Sequence, residues 1–153
     1  MDTTIRLPED FKEFLRLLEA NDVEYLLVGG YAVGLHGYPR PTGDIDFWIS
    51  NSKENAERVY RVFVNFGFAS DELAPELFTL EKSIARMGIA PFKIEVITQI
   101  DGVHFADCYS RRMDTEIDGC AVKVINYDDL LVNKKSSGRP KDLNDLIELQ
   151  RKN

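Results

Sequence analysis

Two aspartates separated by one residue are the feature of this sequence with the clearest chemical potential. Asp44 and Asp46 lie in the segment Asp44-Ile-Asp-Phe-Trp-Ile49, where carboxylate and apolar residues alternate as in a half-buried strand. Because alternate residues of a strand share a face, both carboxylates point the same way while Ile45 and Phe47 point into the core. At roughly 6 Å and an effective dielectric of about 20, the two carboxylates repel each other by about 3 kcal/mol.

This repulsion can be relieved in three ways. Both carboxylates can be exposed to water at the end of a strand, one of them can be protonated, or the pair can bind a cation. The first is the ordinary interpretation of an Asp-x-Asp pattern seen alone. Mg²⁺ is the natural cation for oxygen ligands that lie beside a phosphate-bearing substrate.

A pair of glycines precedes the acidic segment. The apolar run Tyr25-Leu-Leu-Val28 predicts a short strand, which ends at Gly29-Gly30 and is followed by a brief helix through Ala32 to Leu35. Such a junction offers backbone N–H groups and a helix N-terminus to phosphate oxygens, although a plain tight turn explains the glycines equally well. The pattern matches neither the dinucleotide fingerprint GxGxxG nor a P-loop, since no Gly-Lys-Ser/Thr follows.

Together these segments resemble the nucleotidyltransferase superfamily typified by DNA polymerase β. That superfamily has a hydrophobic-Gly-Gly/Ser turn followed by an acid-x-acid strand, and the matching residues here are Leu27-Val28-Gly29-Gly30 and Arg40-Pro-Thr42-Gly-Asp44-Ile-Asp46-Phe47. The C-terminal part resembles small bacterial nucleotidyltransferase-like proteins through Asp129-Leu-Leu131, Lys134, Gly138-Arg-Pro-Lys-Asp142 and Asp145-Leu146. The similarity extends from about Phe11 to Leu149.

The resemblance implies a metal-dependent nucleotidyltransferase. In the superfamily two Mg²⁺ ions are held by the acid-x-acid pair and a third acid on a neighbouring strand. Asp44 and Asp46 match the pair, and Glu95 matches the third acid by pattern, so all three are expected to be catalytic residues and metal ligands. The alternative for Glu95 is an ordinary strand carboxylate that pairs with Lys93 or another cation. The implied reaction is attack of an acceptor hydroxyl on the α-phosphorus of a nucleoside triphosphate such as ATP, with release of pyrophosphate.

The resemblance also implies a nucleotide-binding set, which comprises Gly29, Gly30, Arg40, Thr42, Lys134 and Arg139. Arg40 and Thr42 flank the acidic strand and are expected to order the phosphate loop. Lys134 and Arg139 could approach the triphosphate, but solvated helix cations are an equally good interpretation. The i,i+4 spacing of Lys141 and Asp145 predicts a surface ion pair.

Other residues that attract attention have simpler interpretations. His36 and His104 have no partners at the spacing of a catalytic triad, so neither is expected to be a catalytic base. Trp48 is expected to pack rather than to stack on a base.

A second hypothesis belongs to another functional class. A nucleotidyltransferase fold that no longer transfers anything could act by binding a partner, for instance within a toxin–antitoxin pair. The third acid is Glu rather than Asp, and no acceptor-binding domain is evident in the sequence. The intact aspartate pair favours the enzyme, whereas the small size favours a cognate partner protein or a homodimer that completes the site. The nature of the acceptor (protein, RNA or small molecule) stays open.

The order of helices and strands expected from the sequence indicates an α+β fold with a mixed sheet, flanking helices and a C-terminal helical pair. We expect one domain over 1–153. Helices are expected from Pro8 to about Asn21, from Ser52 to Phe66, over Phe105–Arg112, from Asn126 to Ser137 and from Pro140 onward. Strands are expected at Tyr25–Val28, Asp44–Ile49, Ser83–Gly88, Phe92–Thr98, Thr115–Ile117 and Ala121–Ile125. The last helix is expected to bury an apolar stripe of Leu143, Leu146, Ile147 and Leu149.

Composition narrows the functional classes. The 153 residues carry a net charge of −7, which argues against non-specific binding to DNA. The sequence has no apolar run long enough to span a bilayer and no secretory segment, so we expect no membrane association and a cytoplasmic location. Two cysteines without CxxC spacing and two distant histidines give no zinc motif.

Overall fold

The computed structural model describes residues 5–68, 70–89 and 91–153. In this part the chain forms a six-stranded sheet in the order β3-β4-β2-β1-β6-β5. The strands are β1 Tyr25–Val28, β2 Ile45–Ile49, β3 Ile84–Ile89, β4 Phe92–Ile97, β5 Met113–Ile117 and β6 Cys120–Val124. The α-helices are α1 Glu9–Ala20, α2 Gly29–Leu35, α3 Lys53–Phe66, α4 Phe105–Ser110, α5 Tyr127–Ser137 and α6 Pro140–Lys152. A 3₁₀ turn at Pro75–Thr79 occupies the segment for which the sequence predicted no element. The predicted α+β class, with a mixed sheet and a C-terminal helical pair, is confirmed.

Adjacent residues of β2 pack against helices on opposite faces of the sheet. The ring of Phe47 stacks on Phe14 of α1 at 5.4 Å between centroids. The next residue, Trp48, meets Phe105 of α4 edge-on at 5.2 Å. Trp48 is fully buried, so it packs in the core as expected. Helices therefore cover both faces of the central strand. Successive side chains of β2 point to opposite faces because the strand is pleated, which explains the alternation seen in its sequence.

The pairing register of β2 with its two neighbouring strands determines which residues lie next to Asp46. β2 lies between β1, with which it pairs antiparallel, and β4, with which it pairs parallel. In these pairs Asp46 lies opposite Val28 on one side and opposite Glu95 on the other. Ile94 and Val96 are buried, so Glu95 projects from the other face of its strand. The strand of Glu95 therefore lies beside the aspartate strand, as the superfamily pattern required.

Two helices begin and end at the residues that the sequence indicated. The side chain of Asn126 accepts a hydrogen bond from the Asp129 N–H at 2.7 Å and caps α5, and Ser52 caps α3 through the Asn55 N–H at 3.2 Å. The chain leaves these helices at Gly138 and Gly67, both in the left-handed region. Oxygen-bearing N-caps and left-handed glycines at the C-terminus satisfy backbone groups that would otherwise lack partners.

Helix α2 begins earlier than predicted. The sequence indicated a turn at Gly29-Gly30, whereas both glycines belong to the first turn of α2. Gly29 keeps a positive φ of 71°, which a glycine adopts without strain. Strand β1 therefore passes directly into the helix with no intervening loop.

The buried face predicted for α6 is correct at Leu149, which is fully buried, but wrong at Leu143 and Ile147. Leu143 is 39% exposed and Ile147 is 56% exposed, whereas the buried residues of the helix are Asp142, Asp145 and Leu149. These three share one face because they are separated by three and four residues. Hydrophobic periodicity could not identify this face, since two of its three members are carboxylates.

An ion-pair network explains how α6 can bury these two aspartates. Arg40 donates two hydrogen bonds of 2.9 Å to the carboxylate of Asp145, and Lys134 lies 3.2 Å from the same group. Lys134 also lies 3.0 Å from Asp142, which pairs in addition with Arg139 at 2.8 Å. The predicted surface pair between Lys141 and Asp145 is therefore wrong, because Asp145 is 1% exposed and bonded elsewhere. A buried charge is tolerated only with such partners.

No helix of the described ranges is long and apolar enough to cross a membrane.

Because of this ion-pair network, we expect a conservative substitution of a buried aspartate to destabilise the protein strongly. Asp145→Asn keeps the shape but leaves Arg40 and Lys134 without their shared buried anion, so it should lower the free energy of unfolding by about 3 kcal/mol. Urea denaturation measures this. Asp114→Asn is the matched control, because Asp114 pairs with Arg112 at an exposed site and should change stability by less than about 1 kcal/mol. Equal losses in the two variants would contradict a stabilising role for the buried network.

Candidate active site

The fold brings all the predicted site residues to one cavity of about 590 Å³. Its lining includes Gly29, Gly30, Arg40, Thr42, Asp44, Asp46, Glu95, Lys134 and Arg139. Residues that the sequence analysis did not select also line it, namely Pro41, Gly43, Arg86, Pro91, Lys141 and Asp142. Five elements or connections therefore meet here: the start of α2, the loop before β2, β2 itself, the β3–β4 hairpin and the α5–α6 corner.

The two glycines allow the start of α2 to approach the acidic strand closely. A Cβ atom on Gly29 would collide with the carboxylate of Asp46. A Cβ atom on Gly30 would lie 2.6 Å from Thr42 Oγ1 and 3.4 Å from Arg40 Nη1. Glycine is thus required at both positions by contact with other site residues. The side chain of Thr42 also donates a hydrogen bond of 3.3 Å to the Asp44 carbonyl, which orders the loop before β2.

Asp46 is the most perturbed acid of the site. Burial raises its pKa to about 8, and the hydrogen bond and negative charge of Glu95 and the charge of Asp44 act in the same direction. Lys134 opposes this shift only weakly. In the absence of a bound cation, the raised pKa favours the protonated form of Asp46, which lies opposite Glu95 in the β2–β4 pair.

Glu95 has the opposite character because it has a cationic neighbour. Burial disfavours its charge, but the hydrogen bonds from Asp46 and Arg86 outweigh burial and lower its pKa. Arg86 lies directly opposite Glu95 in the β3–β4 hairpin, and its Nε donates a hydrogen bond of 2.9 Å to Glu95 Oε1. The sequence analysis gave Lys93 or another cation as the alternative partner of Glu95, and the ion-pair partner is Arg86. Arg86 was missed because the register of the hairpin has to be known before the two residues can be paired.

The donor set of the cavity suits a hard cation. Asp44, Asp46 and Glu95 supply carboxylate oxygens to one cavity, which are the ligands that Mg²⁺ prefers. Over the described ranges, however, no three His, Cys, Asp or Glu side chains are arranged to hold a metal ion. The raised pKa of Asp46 favours its protonated form, and Arg86 pairs with Glu95. Coordination of a metal by these residues would require loss of the Asp46 proton and opening of the Glu95–Arg86 pair.

Two cations from the C-terminal helical pair line the same cavity, and they differ in how freely their side chains can move. Lys134 is buried between Asp142 and Asp145, so it is a fixed charge, whereas Arg139 is mostly exposed and can turn toward a ligand. Burial disfavours the charge of Asp142, but hydrogen bonds from Ser137, Lys134 and Arg139 lower its pKa to about 2. Asp142 is therefore ionised and anchors both cations.

The histidines have structural surroundings. His36 lies against the Ile125 carbonyl at 2.7 Å, and burial lowers its pKa. His104 precedes α4 as its N-cap residue. Neither lines the cavity that contains the acidic residues, as expected.

From the raised pKa of Asp46 we predict how the free energy of unfolding of the metal-free protein depends on pH. Between about pH 4 and pH 8 the folded protein binds a proton at Asp46 that the unfolded chain has released, so stability falls as pH rises. Asp46→Asn keeps a hydrogen-bond donor toward Glu95 and cannot ionise. Relative to wild type, it should gain at least about 1 kcal/mol of unfolding free energy from pH 5 to pH 8. Urea denaturation with a chelator at both pH values measures this, and an unchanged difference would show that Asp46 is ionised in the folded protein.

Several solved structures resemble this chain, including the following three. A protein from Thermotoga maritima described as a nucleotidyltransferase is 18% identical, with a TM-score of 0.63, over 95% of this chain and 92% of that one. The lincosamide antibiotic adenylyltransferase LnuA, solved with lincomycin bound, is 17% identical, with a TM-score of 0.57, over 96% and 98%. An antigenic nucleotidyltransferase-like protein from Paracoccidioides brasiliensis is 18% identical, with a TM-score of 0.54, over 91% and 73%. At these identities the likeness establishes the fold.

The sequence itself gives the family. No curated protein matches it. One family model does match, over residues 5–150, and this range includes the glycine pair, the acidic strand, Glu95 and the C-terminal cations. The model is described as a nucleotidyltransferase of unknown function (DUF6036). The cavity described above thus lies in a chain that belongs to the DUF6036 family of nucleotidyltransferases.

Proposed function

We propose that this protein is a metal-dependent nucleotidyltransferase that transfers a nucleoside monophosphate from a nucleoside triphosphate to an acceptor hydroxyl. The observation that carries the proposal is the convergence of Asp44, Asp46 and Glu95 with the glycine pair and with cations of α5 and α6 in one cavity. Three carboxylates that line one cavity repel each other unless a cation or a proton compensates their charge, so their collection there supports a binding role.

The end of the cavity around the glycines suits a triphosphate. Arg40 uses Nε and Nη2 for Asp145, and its Nη1 lies beside Gly30. The guanidinium is therefore held in a fixed orientation with one nitrogen toward the cavity. Arg139 and Lys141 line the same cavity and can add mobile positive charge. The rigid Arg40 beside the glycine pair can hold a phosphate oxygen with little loss of side-chain entropy. The exposed cations at the α5–α6 corner add positive charge but lose side-chain entropy when they bind.

Asp44, Asp46 and Glu95 would hold Mg²⁺, with two ions expected in the active complex. The bound ions would neutralise the phosphate oxygens and stabilise the attacking and leaving oxygens together. The residues of this chain have separate tasks around them. Asp46 has to release its proton, Glu95 has to part from Arg86, and Lys134 supplies a permanent positive charge behind Asp46. Arg86, once released, remains at the edge of the cavity to meet a phosphate or the acceptor.

ATP is the nucleotide to test first, because one of the similar folds is an adenylyltransferase. That protein was solved with lincomycin, which favours a small molecule over protein or RNA as the acceptor class to examine first. A cytoplasmic location suits a nucleoside triphosphate substrate, and both cysteines of the chain are buried and unpaired.

The first prediction for this function concerns nucleotide and metal binding. Calorimetry should show that ATP binds more tightly with Mg²⁺ than without it. Asp44→Asn/Asp46→Asn should weaken Mg²⁺-dependent binding at least about 100-fold, since two charged ligands are removed. Asp114→Asn, which removes a strand carboxylate distant from the cavity, should bind normally. Equal affinity of the double variant and wild type would exclude the proposed metal site.

A second prediction separates Glu95 from the aspartates. Glu95→Gln should leave the affinity for MgATP within about tenfold of wild type. It should lower transfer far more, because the third acid acts mainly on the attacking hydroxyl as charge develops in the transition state. Transfer is measured as incorporation of α-labelled ATP into an acceptor in a cell extract. Glu116→Gln, an exposed glutamate of β5, is the matched control.

Two results would change this assignment. Transfer by Glu95→Gln near the wild-type rate would remove Glu95 from the catalytic set. If wild type labels nothing and instead co-purifies with one stable protein, a catalytically idle partner-binding role, such as a toxin–antitoxin component, becomes the better hypothesis.

A further inference from the structure

A second cavity, of about 390 Å³, lies between β3, β4 and the α5 side of the sheet. It shares part of its lining with the first cavity, namely Gly29, Asp46, Arg86, Glu95, Lys134, Arg139 and Asp142. Gly30, Arg40, Thr42 and Asp44 line only the first cavity. Asp46 and Glu95 therefore stand at a boundary, with the glycine turn and its arginine on one side and the second cavity on the other.

We propose that this second cavity binds the acceptor, and that the acceptor is a small, uncharged, hydroxylated molecule with an aliphatic part. The part of the cavity outside the first, named here the acceptor groove, is lined by Val28, Lys82, Ile84, Ile97, Gln99, Ile100, Asp101, Asn133 and Ser137. The proposal rests on the nucleotidyl transfer proposed above and assigns a substrate class to it.

The position of the groove follows the geometry of the reaction. The acceptor oxygen forms a bond to the α-phosphorus while the bond from that phosphorus to the pyrophosphate oxygen breaks on the opposite side. A triphosphate held by the glycine turn and Arg40 places its leaving group in the first cavity. The acceptor must then approach from the other side of Asp46 and Glu95, which is the acceptor groove. Its hydroxyl proton passes to solvent water, since Asp46 and Glu95 are the proposed metal ligands.

The aliphatic part of the acceptor is inferred from the lining. Val28, Ile84, Ile97 and Ile100 give the groove an apolar side. Ile84 is 47% exposed on the edge strand β3, so the apolar surface of its side chain stays open to a ligand in the groove. A ligand that covers it would gain roughly 25 cal/mol for each Å² of apolar surface removed from water. The volume of the cavity lies in the range of small-molecule sites.

The hydroxylated, uncharged part is inferred from the polar lining. In the acceptor groove itself the charged residues are Lys82 and Asp101, and their charges balance each other. A polyanion such as RNA needs a clear excess of cations, which the acceptor groove does not offer among its lining residues. The Asn133 amide donates a hydrogen bond of 3.0 Å to the Asp101 carbonyl, and this contact leaves its own carbonyl oxygen to accept from a hydroxyl.

Methyl NMR on the whole chain tests the proposal. Isoleucine δ1-methyl groups are labelled, α,β-methylene-ATP and Mg²⁺ are added, and hexyl β-D-glucoside is titrated as the probe. We expect shifts at Ile84, Ile97 and Ile100, saturating in the millimolar range, and none at Ile147, which is exposed on α6 and lines neither cavity. Ile84→Trp should weaken probe binding at least about tenfold. Leu80→Trp is the matched control, since Leu80 is 50% exposed and outside both cavities, and it should bind the probe as wild type does.

Each alternative result overturns the proposal in a recognisable way. Probe shifts at Ile147 alone, at all exposed isoleucines equally, or at none would remove the acceptor groove. Shifts at the groove methyls with a uridine tetranucleotide at lower concentration than with the glucoside would make RNA the acceptor class. Calorimetry with MgATP on the same samples distinguishes a failure of the proposed function from a failure of the acceptor groove. Absence of nucleotide binding contradicts the proposed function, whereas nucleotide binding without groove shifts contradicts only the acceptor groove.

Discussion

Charge compensation of buried carboxylates governs this structure. Asp142 and Asp145 are removed from water on α6 and are paired with Lys134, Arg40 and Arg139. Asp46 and Glu95 are neutralised differently, by one retained proton and by Arg86. The first group has permanent counter-charges and acts as a scaffold. The second has replaceable ones, and replaceable counter-charges are what a site needs if a cation is to enter it.

The scaffold group also joins distant parts of the chain to the site. Arg40 comes from the loop before β2, Lys134 from α5 and Asp145 from α6, so one network holds the loop against the C-terminal helical pair. Lys134 extends this network to Asp46, whose pKa it lowers. The C-terminal helices therefore contribute electrostatically to the acidic pair as well as covering the sheet. This accounts for a helix α6 whose buried face is largely polar.

Sequence reasoning was most successful where one local rule decides the outcome. The Asn126 and Ser52 caps, the glycine ends of α5 and α3 and the alternation in β2 could be predicted because each depends on a few neighbouring residues. The set of site residues was obtained from the family resemblance, and the fold brings its members together. The face of α6 was predicted wrongly because burial was equated with apolar character. Arg86 and the acceptor groove depend on the β3–β4 register and on the approach of α5, which are tertiary facts.

The proton that Asp46 retains because of its raised pKa has a consequence for thermodynamic measurement. A cation that coordinates both carboxylates has to displace this proton, which then titrates the buffer. The observed enthalpy of ligand binding therefore contains the ionisation enthalpy of the buffer, multiplied by the number of protons released. Buffers with different ionisation enthalpies should give different apparent heats for one and the same binding event. The number of protons released to the buffer would therefore report how much of the acidic pair has bound a cation, without direct detection of the metal.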